Sequence, residues 1–239
     1  MTPGGQHLRT AWVSDRHLRL SLGDDMSLVT HRLVRTAFER LREAAIPGLR
    51  DLTPAYATLL VTFDPATLDA RRAESDVAGA LRGFDESADS MPARLVEIPV
   101  CYEGECGPDL DDVARLLNLA RGEVVSLHSG TEYFVHFIGF SPGFPYLGGL
   151  PSVLTTPRLE RPRVRVPAGS VGIAGGQTGI YPQSTPGGWR LIGRTPARLF
   201  DANRDPPSLL TMGNRVRFVP IGLDAFDAMN AANARTGGP

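Results

Sequence analysis

Residues 139–196 read GFSPGFPYLGGLPSVLTTPRLERPRVRVPAGSVGIAGGQTGIYPQSTPGGWRLIGRTP and hold twelve of the chain's 26 glycines and nine of its 20 prolines. Glycine loses more backbone freedom on ordering than any other residue, so this density opposes folding unless something anchors it. Phe140, Phe144, Tyr146, Tyr181 and Trp189 supply the anchors. A disordered linker would lack them. The stretch therefore predicts short strands and tight turns whose backbone lies close to another strand or to a ligand.

Charge sharpens this reading. Seven arginines (158, 161, 163, 165, 190, 194 and 198) fall between Tyr133 and Phe200, where Glu160 is the sole carboxylate, although the net charge of the chain is −1. Guanidinium forks and the amides of glycine turns both favour anions. A solvated basic face or a site for phosphate or carboxylate groups would each produce the pattern.

The chain contains no lysine; its 25 basic residues are all arginine. That excludes a Walker A, Schiff-base or biotin-carrying lysine on this chain. Cys101 and Cys106 are the only cysteines, too few for a zinc site with His128 alone nearby. No apolar run is long enough for a transmembrane helix, and the N-terminus does not read as a signal peptide, so a cytoplasmic protein is expected.

Outward from the centre, residues 8–22 read as one or two strands and 27–45 as an amphipathic helix that starts near Ser27 and stops at Pro47-Gly48. Two strands follow around Pro54, then a helix from Asp64-Pro65 to about Leu81, then a strand over 94–101. This order suggests a ferredoxin-like α/β unit. Small polar residues over 83–93 read as a linker. Asp109, Asp111 and Asp112 open a helix through Leu119, and a short helix is expected over 121–129. Strands and turns then continue to the alternating RVRFVP of 215–220. The expectation is an α+β protein with a domain over 1–90, a second over 91–225, and a frayed tail over 226–239.

Ordered motifs now identify a family: H-S-G-x-E-Y (128–133), G-F-S-P-G-F-P-Y-L-G-G-L-P (139–151), P-R-L-x-R-P-R-x-x-V-P-A-G-S-V-G-I-A-G (157–175), Q-T-G-I-Y-P (177–182) and P-G-G-W-R-L-I-G-R-T-P (186–196). Together they resemble the family of 5-oxoprolinase B subunits, which includes a kinase A inhibitor and was long labelled allophanate hydrolase subunit 1. Asn214, Thr185 and Cys106 depart from its usual residues.

The resemblance implies a cyclophilin-like β-barrel for the C-terminal half. It also implies an ATP-dependent complex that opens 5-oxoproline to glutamate, with magnesium, a sister barrel subunit and a third subunit. No nucleic-acid or membrane partner is implied, and the chain is not expected to be active alone. Two alternatives are a histidine-kinase inhibitor and the carboxyltransferase part of a urea carboxylase. Negative charge develops when an amide is activated and attacked, so oriented donors are needed. Arg158, Arg163 and Arg194 are the candidates for gripping phosphate or carboxylate, and Gln177, Thr178 and Tyr181 for orienting the lactam. His128 is the candidate acid or base, against a structural role. Phe140, Phe144, Tyr146 and Trp189 are expected in core or interface. The acid-poor centre lacks metal ligands, which a partner would supply.

Overall fold

The alternating and helical periods of the N-terminal third become a four-stranded antiparallel sheet with two helices in the computed structural model, which describes residues 8–83 and 93–236. The chain divides into one unit to Pro92 and another from Ala93. Most of the expected 83–93 linker lies outside the described residues.

In the first unit, β1 (Arg9–Trp12) and β2 (His17–Ser21) form a hairpin. Ser14 Oγ lies 2.7 Å from His17 Nδ1 across the turn. Helix α1 (Leu28–Glu43) starts where the Ser27 side chain accepts the Thr30 N–H, and buries Leu33, Val34, Ala37 and Leu41. Strands β3 (Leu49–Pro54) and β4 (Thr58–Phe63) follow. Helix α2 (Ala70–Ala80) begins later than expected, because Asp69 rather than Asp64 caps it by accepting the Arg72 N–H. The sheet order is β1-β2-β4-β3.

The ferredoxin-like expectation needs correction at its closing strand. The strand over 94–101, expected to complete that α/β unit, belongs to the second unit as residues 95–101, and the first unit's sheet instead has the four strands β1-β2-β4-β3.

The second unit starts with that strand, β5 (Leu95–Cys101). Helix α3 (Leu110–Leu117) ends on Asn118, whose φ of 54° stops it short of the expected Leu119. Helix α4 (Arg121–Ser129) leads into β6 (Glu132–Ile138) and β7 (Pro145–Gly148). Then come β8 (Arg163–Val166), β9 (Ser170–Ala174), β10 (Gln177–Ile180), β11 (Thr185–Gly187), β12 (Arg190–Arg194) and β13 (Arg215–Ile221). Seven of these close a barrel in the order β10-β7-β6-β13-β5-β12-β9, while β8 and β11 form a separate two-stranded ribbon. The β5–β13 pair is parallel, and it places a strand that precedes two helices in sequence in the barrel wall. Inward residues such as Ile98, Val100, Val135, Leu147, Ile173, Ile180, Ile192 and Phe218 fill it.

The part of the expected frayed tail that is described, 226–236, instead belongs to α5 (Leu223–Thr236), and 237–239 lie outside the described residues. Phe226 is buried against Cys101 and Cys106, and the Asn233 amide donates to the Pro196 carbonyl at 2.8 Å. These two contacts dock a helix whose composition is otherwise small and polar.

One central glycine shows why the density is tolerated. A Cβ at Gly179 would sit 2.9 Å from the Pro145 carbonyl oxygen and 3.0 Å from both Phe144 and Trp189 ring atoms. The absent side chain lets two large rings lie directly on β10. Gly179→Ala is therefore expected to destabilise the second unit by about 1–3 kcal/mol, the usual range for overpacking, as read by chemical denaturation.

Candidate functional site

The aromatic residues of the central stretch converge on one place. Phe144 is the hub: its ring meets Phe140 at 5.3 Å, Tyr146 at 5.0 Å, Tyr181 at 5.2 Å and Trp189 at 5.6 Å between centroids. Three of these contacts are edge-to-face, which aromatic quadrupoles favour. Together with Arg158, Pro186, Gly187 and Gly188, the five rings line a pocket of about 110 Å³.

Local sequence chemistry sets each wall. Gly139 and Phe144 close a tight turn through a 3.0 Å backbone hydrogen bond. Within that turn Phe140 adopts φ 64° and stays 61% exposed. A bulky residue in the left-handed region is unfavourable by about 1 kcal/mol or more, so the surroundings must hold it there. Opposite, Gly187 admits Tyr181: a Cβ at that position would lie 2.5 Å from the phenol oxygen. The Trp189 backbone also hydrogen-bonds to the Tyr181 hydroxyl.

Arg158 supplies the charge. Burial raises the Tyr146 and Tyr181 phenols above their usual range, and the Arg158 guanidinium partly offsets the rise at both. No carboxylate among the described residues pairs with Arg158. An exposed cation beside clustered aromatic rings and glycine amides suits a small, flat, negatively charged guest.

Of the residues singled out from sequence, Arg158 and Tyr181 reach this pocket. Arg163 does not: both its terminal nitrogens bind the buried Asp109 carboxylate, at 2.9 and 2.6 Å. That carboxylate also accepts the Leu191 N–H at 2.7 Å, so the pair ties α3 to β12 and β8. Arg194 donates from Nε to the Ala168 carbonyl at 2.9 Å and lies over the Phe226 ring. Gln177 is half-buried at the start of β10, outside the pocket lining.

His128 and Thr178 belong to the core. His128 is fully buried, stacked on Phe218 at 4.6 Å. Its Nδ1 lies 2.8 Å from the Tyr102 hydroxyl and its Nε2 3.0 Å from Thr178 Oγ1. Thr178 donates to the Gly172 carbonyl at 3.0 Å. Its oxygen therefore accepts from Nε2–H, and Nδ1 accepts from Tyr102. Burial pushes the imidazole down to about 3. With both nitrogens engaged and no opening to the pocket, it is a structural link between α4 and β10, which corrects the acid–base assignment.

Phe140, Phe144, Tyr146 and Trp189, expected in core or interface, all face the pocket, and Phe144 and Trp189 are core as well. Their sequence signal was the clustering of rings among glycines.

No group of three or more His, Cys, Asp or Glu among the described residues is placed to hold a metal ion. No described helix is long and apolar enough to cross a membrane.

The chain falls within the class of the carboxyltransferase domain, subdomain C and D, whose family model matches residues 8–210. Within that class the relatives are specific. The 5-oxoprolinase B subunit of Bacillus subtilis (strain 168) is 41% identical over 226 residues, covering 90% of this chain and 94% of the relative. Its counterpart of the same name in Escherichia coli O157:H7 is 44% identical over 221 residues, covering 90% and 97%. The chain belongs to this family of 5-oxoprolinase B subunits. Among solved structures, that of TTHA0988 is 40% identical with a TM-score of 0.76, over 86% of this chain; this chain spans only 40% of that longer protein.

Proposed function

We propose that this chain is the B-type subunit of a cytoplasmic 5-oxoprolinase, an ATP-dependent hydrolase that opens 5-oxoproline to glutamate together with other subunits, one of them a sister barrel. The observation that carries the reading is the 41% identity to the Bacillus subtilis protein over nearly its full length. The pocket supports it: a lactam carboxylate is a flat, small anion, and Arg158 with the ring walls suits it.

In this reading Arg158 holds the carboxylate, while Phe144 and Trp189 shield the ring from water. The Tyr181 hydroxyl, which accepts from the Trp189 backbone, donates to the lactam carbonyl. The nucleotide and magnesium fit poorly here. A pocket of about 110 Å³ falls below the roughly 300–1,000 Å³ of sites for larger ligands, and no metal-binding acid cluster is formed by the described residues. They are assigned to the other subunits, and this chain's part is to bind and orient.

The test is co-purification with the other subunits and measurement of 5-oxoproline-dependent ATP hydrolysis. Arg158→Lys in that complex keeps the charge and loses the planar fork. The expected result is a fall of roughly ten- to a hundredfold in kcat/KM, from one charge-assisted hydrogen bond of about 1.5–3 kcal/mol, with unchanged melting. Normal turnover of the variant would remove Arg158 from the site, and absence of any 5-oxoproline dependence would remove the function.

A further inference from the structure

The β8–β11 ribbon is left over by the fold and by the pocket. Its two strands pair only with each other among the described residues, so the outer edge of β8 has no strand partner there. Val166 at its root is fully buried in the aromatic core that backs the pocket, yet Val164, two residues earlier on the same strand, is 88% exposed. Same-side residues of one strand share a face, so this face of β8 is covered by the barrel at Val166 and open to solvent at Val164.

Its charge is one-sided as well. Arg158, Arg161 and Arg165 are exposed on the ribbon and the loop leading into it, with no carboxylate partner among the described residues. Arg163, the first residue of β8, is already neutralised by Asp109. Only Glu160 opposes the other three. Arg165 merely donates from Nε to Ser184 Oγ at 3.1 Å, which braces the two strands and leaves its charge unopposed. Phe140, exposed at the pocket rim, adds a second apolar prominence.

We propose that this ribbon is a docking edge for an acidic, extended segment of another protein chain, which adds as a strand beside it. Strand addition satisfies the open edge, Val164 provides an apolar contact, and alternate Glu or Asp side chains of the segment meet Arg161 and Arg165. Because β11, the other strand of the ribbon, carries Pro186 and Gly187 of the pocket wall, a segment docked on β8 lies one strand away from that wall. A nucleic acid would meet the arginines but would use neither the open backbone edge nor Val164. The proposal asks only for an acidic partner and does not depend on the hydrolase reading.

The test uses the full-length chain and a fluorescein-labelled peptide of alternating valine and glutamate, followed by fluorescence anisotropy. Binding is expected to weaken at least tenfold on raising salt, in the Arg161→Glu/Arg165→Glu double variant, and in Val164→Asp. All three positions have exposed or half-solvated side chains, so unchanged melting of the variants confirms that they remain folded. Methylating alternate peptide nitrogens removes the ladder donors and is expected to abolish binding; unchanged affinity of that peptide would reduce the effect to charge alone and overturn strand addition. No binding at millimolar peptide, indifference to the substitutions, or equal affinity for a single-stranded oligonucleotide of matching charge would each overturn the proposal.

Discussion

Arg163→Met is expected to lower the stability of the barrel unit by about 3 kcal/mol, while leaving ligand affinity per folded molecule unchanged. The cause is what the substitution leaves behind. Asp109 is 4% exposed, and its carboxylate would keep a single partner, the Leu191 N–H. Breaking a buried pair by removing one side costs about 3–5 kcal/mol. The low end applies because the Arg163 side chain is 30% exposed, so water entering the vacated space can solvate part of the charge. For a unit of this size the loss corresponds to a fall in Tm of roughly 6–12 °C. Arg163→Met/Asp109→Asn should recover part of it, since the second change removes the stranded charge. Thermal unfolding and ligand titration on the same samples decide the matter. If Arg163→Met melts like the parent but binds ligand poorly, Arg163 serves a site and its pairing with Asp109 is incidental.

The contrast between Arg158 and Arg163 shows where sequence reading stops. Both lie in one run, P-R-L-x-R-P-R, with the same composition around them. What separates them is Asp109, 54 residues from Arg163 and brought beside it by α3 docking on β12. No local pattern encodes that encounter. The same limit explains β5: its alternation marks a strand, but its partner β13 lies near the other end of the chain.

Short-range signals were legible. Ser27 before an apolar-periodic run located α1, and the limits expected for the 121–129 helix are those of α4. The aromatic pocket was half legible. Rings among glycines announce close packing, but periodicity cannot separate a ring that only fills a core from one that also turns an edge to a cavity. Trp189 does both, at 5% exposure. His128 was ambiguous for a related reason: an imidazole between hydroxyls looks alike in sequence whether water reaches it or not.

Acidification is expected to produce the second large effect, through His128 and His136. Burial depresses both imidazoles, His128 to about 3 and His136 to about 4, against about 6.5 in an unfolded chain. The sign follows from which state takes up the proton. Between pH 6.5 and these lowered values the unfolded chain binds protons that the folded chain refuses, so the stabilisation is present above pH 6.5 and lost as pH falls. Each group contributes a slope approaching 1.36 kcal/mol per pH unit, and the pair removes about 3–4 kcal/mol between pH 7 and pH 5. Chemical denaturation at half-unit pH steps reads the slope, and calorimetry in buffers of different ionisation enthalpy should count close to two extra protons taken up on unfolding at pH 5. His128→Gln isolates one contribution, because the amide retains a donor and an acceptor for Thr178 and Tyr102 but does not titrate. About half of the pH-dependent loss should disappear in that variant, whatever its stability at pH 7. Should the full loss persist, the His128 imidazole is not a source of the acid sensitivity, and its placement as a neutral link in the barrel core is wrong.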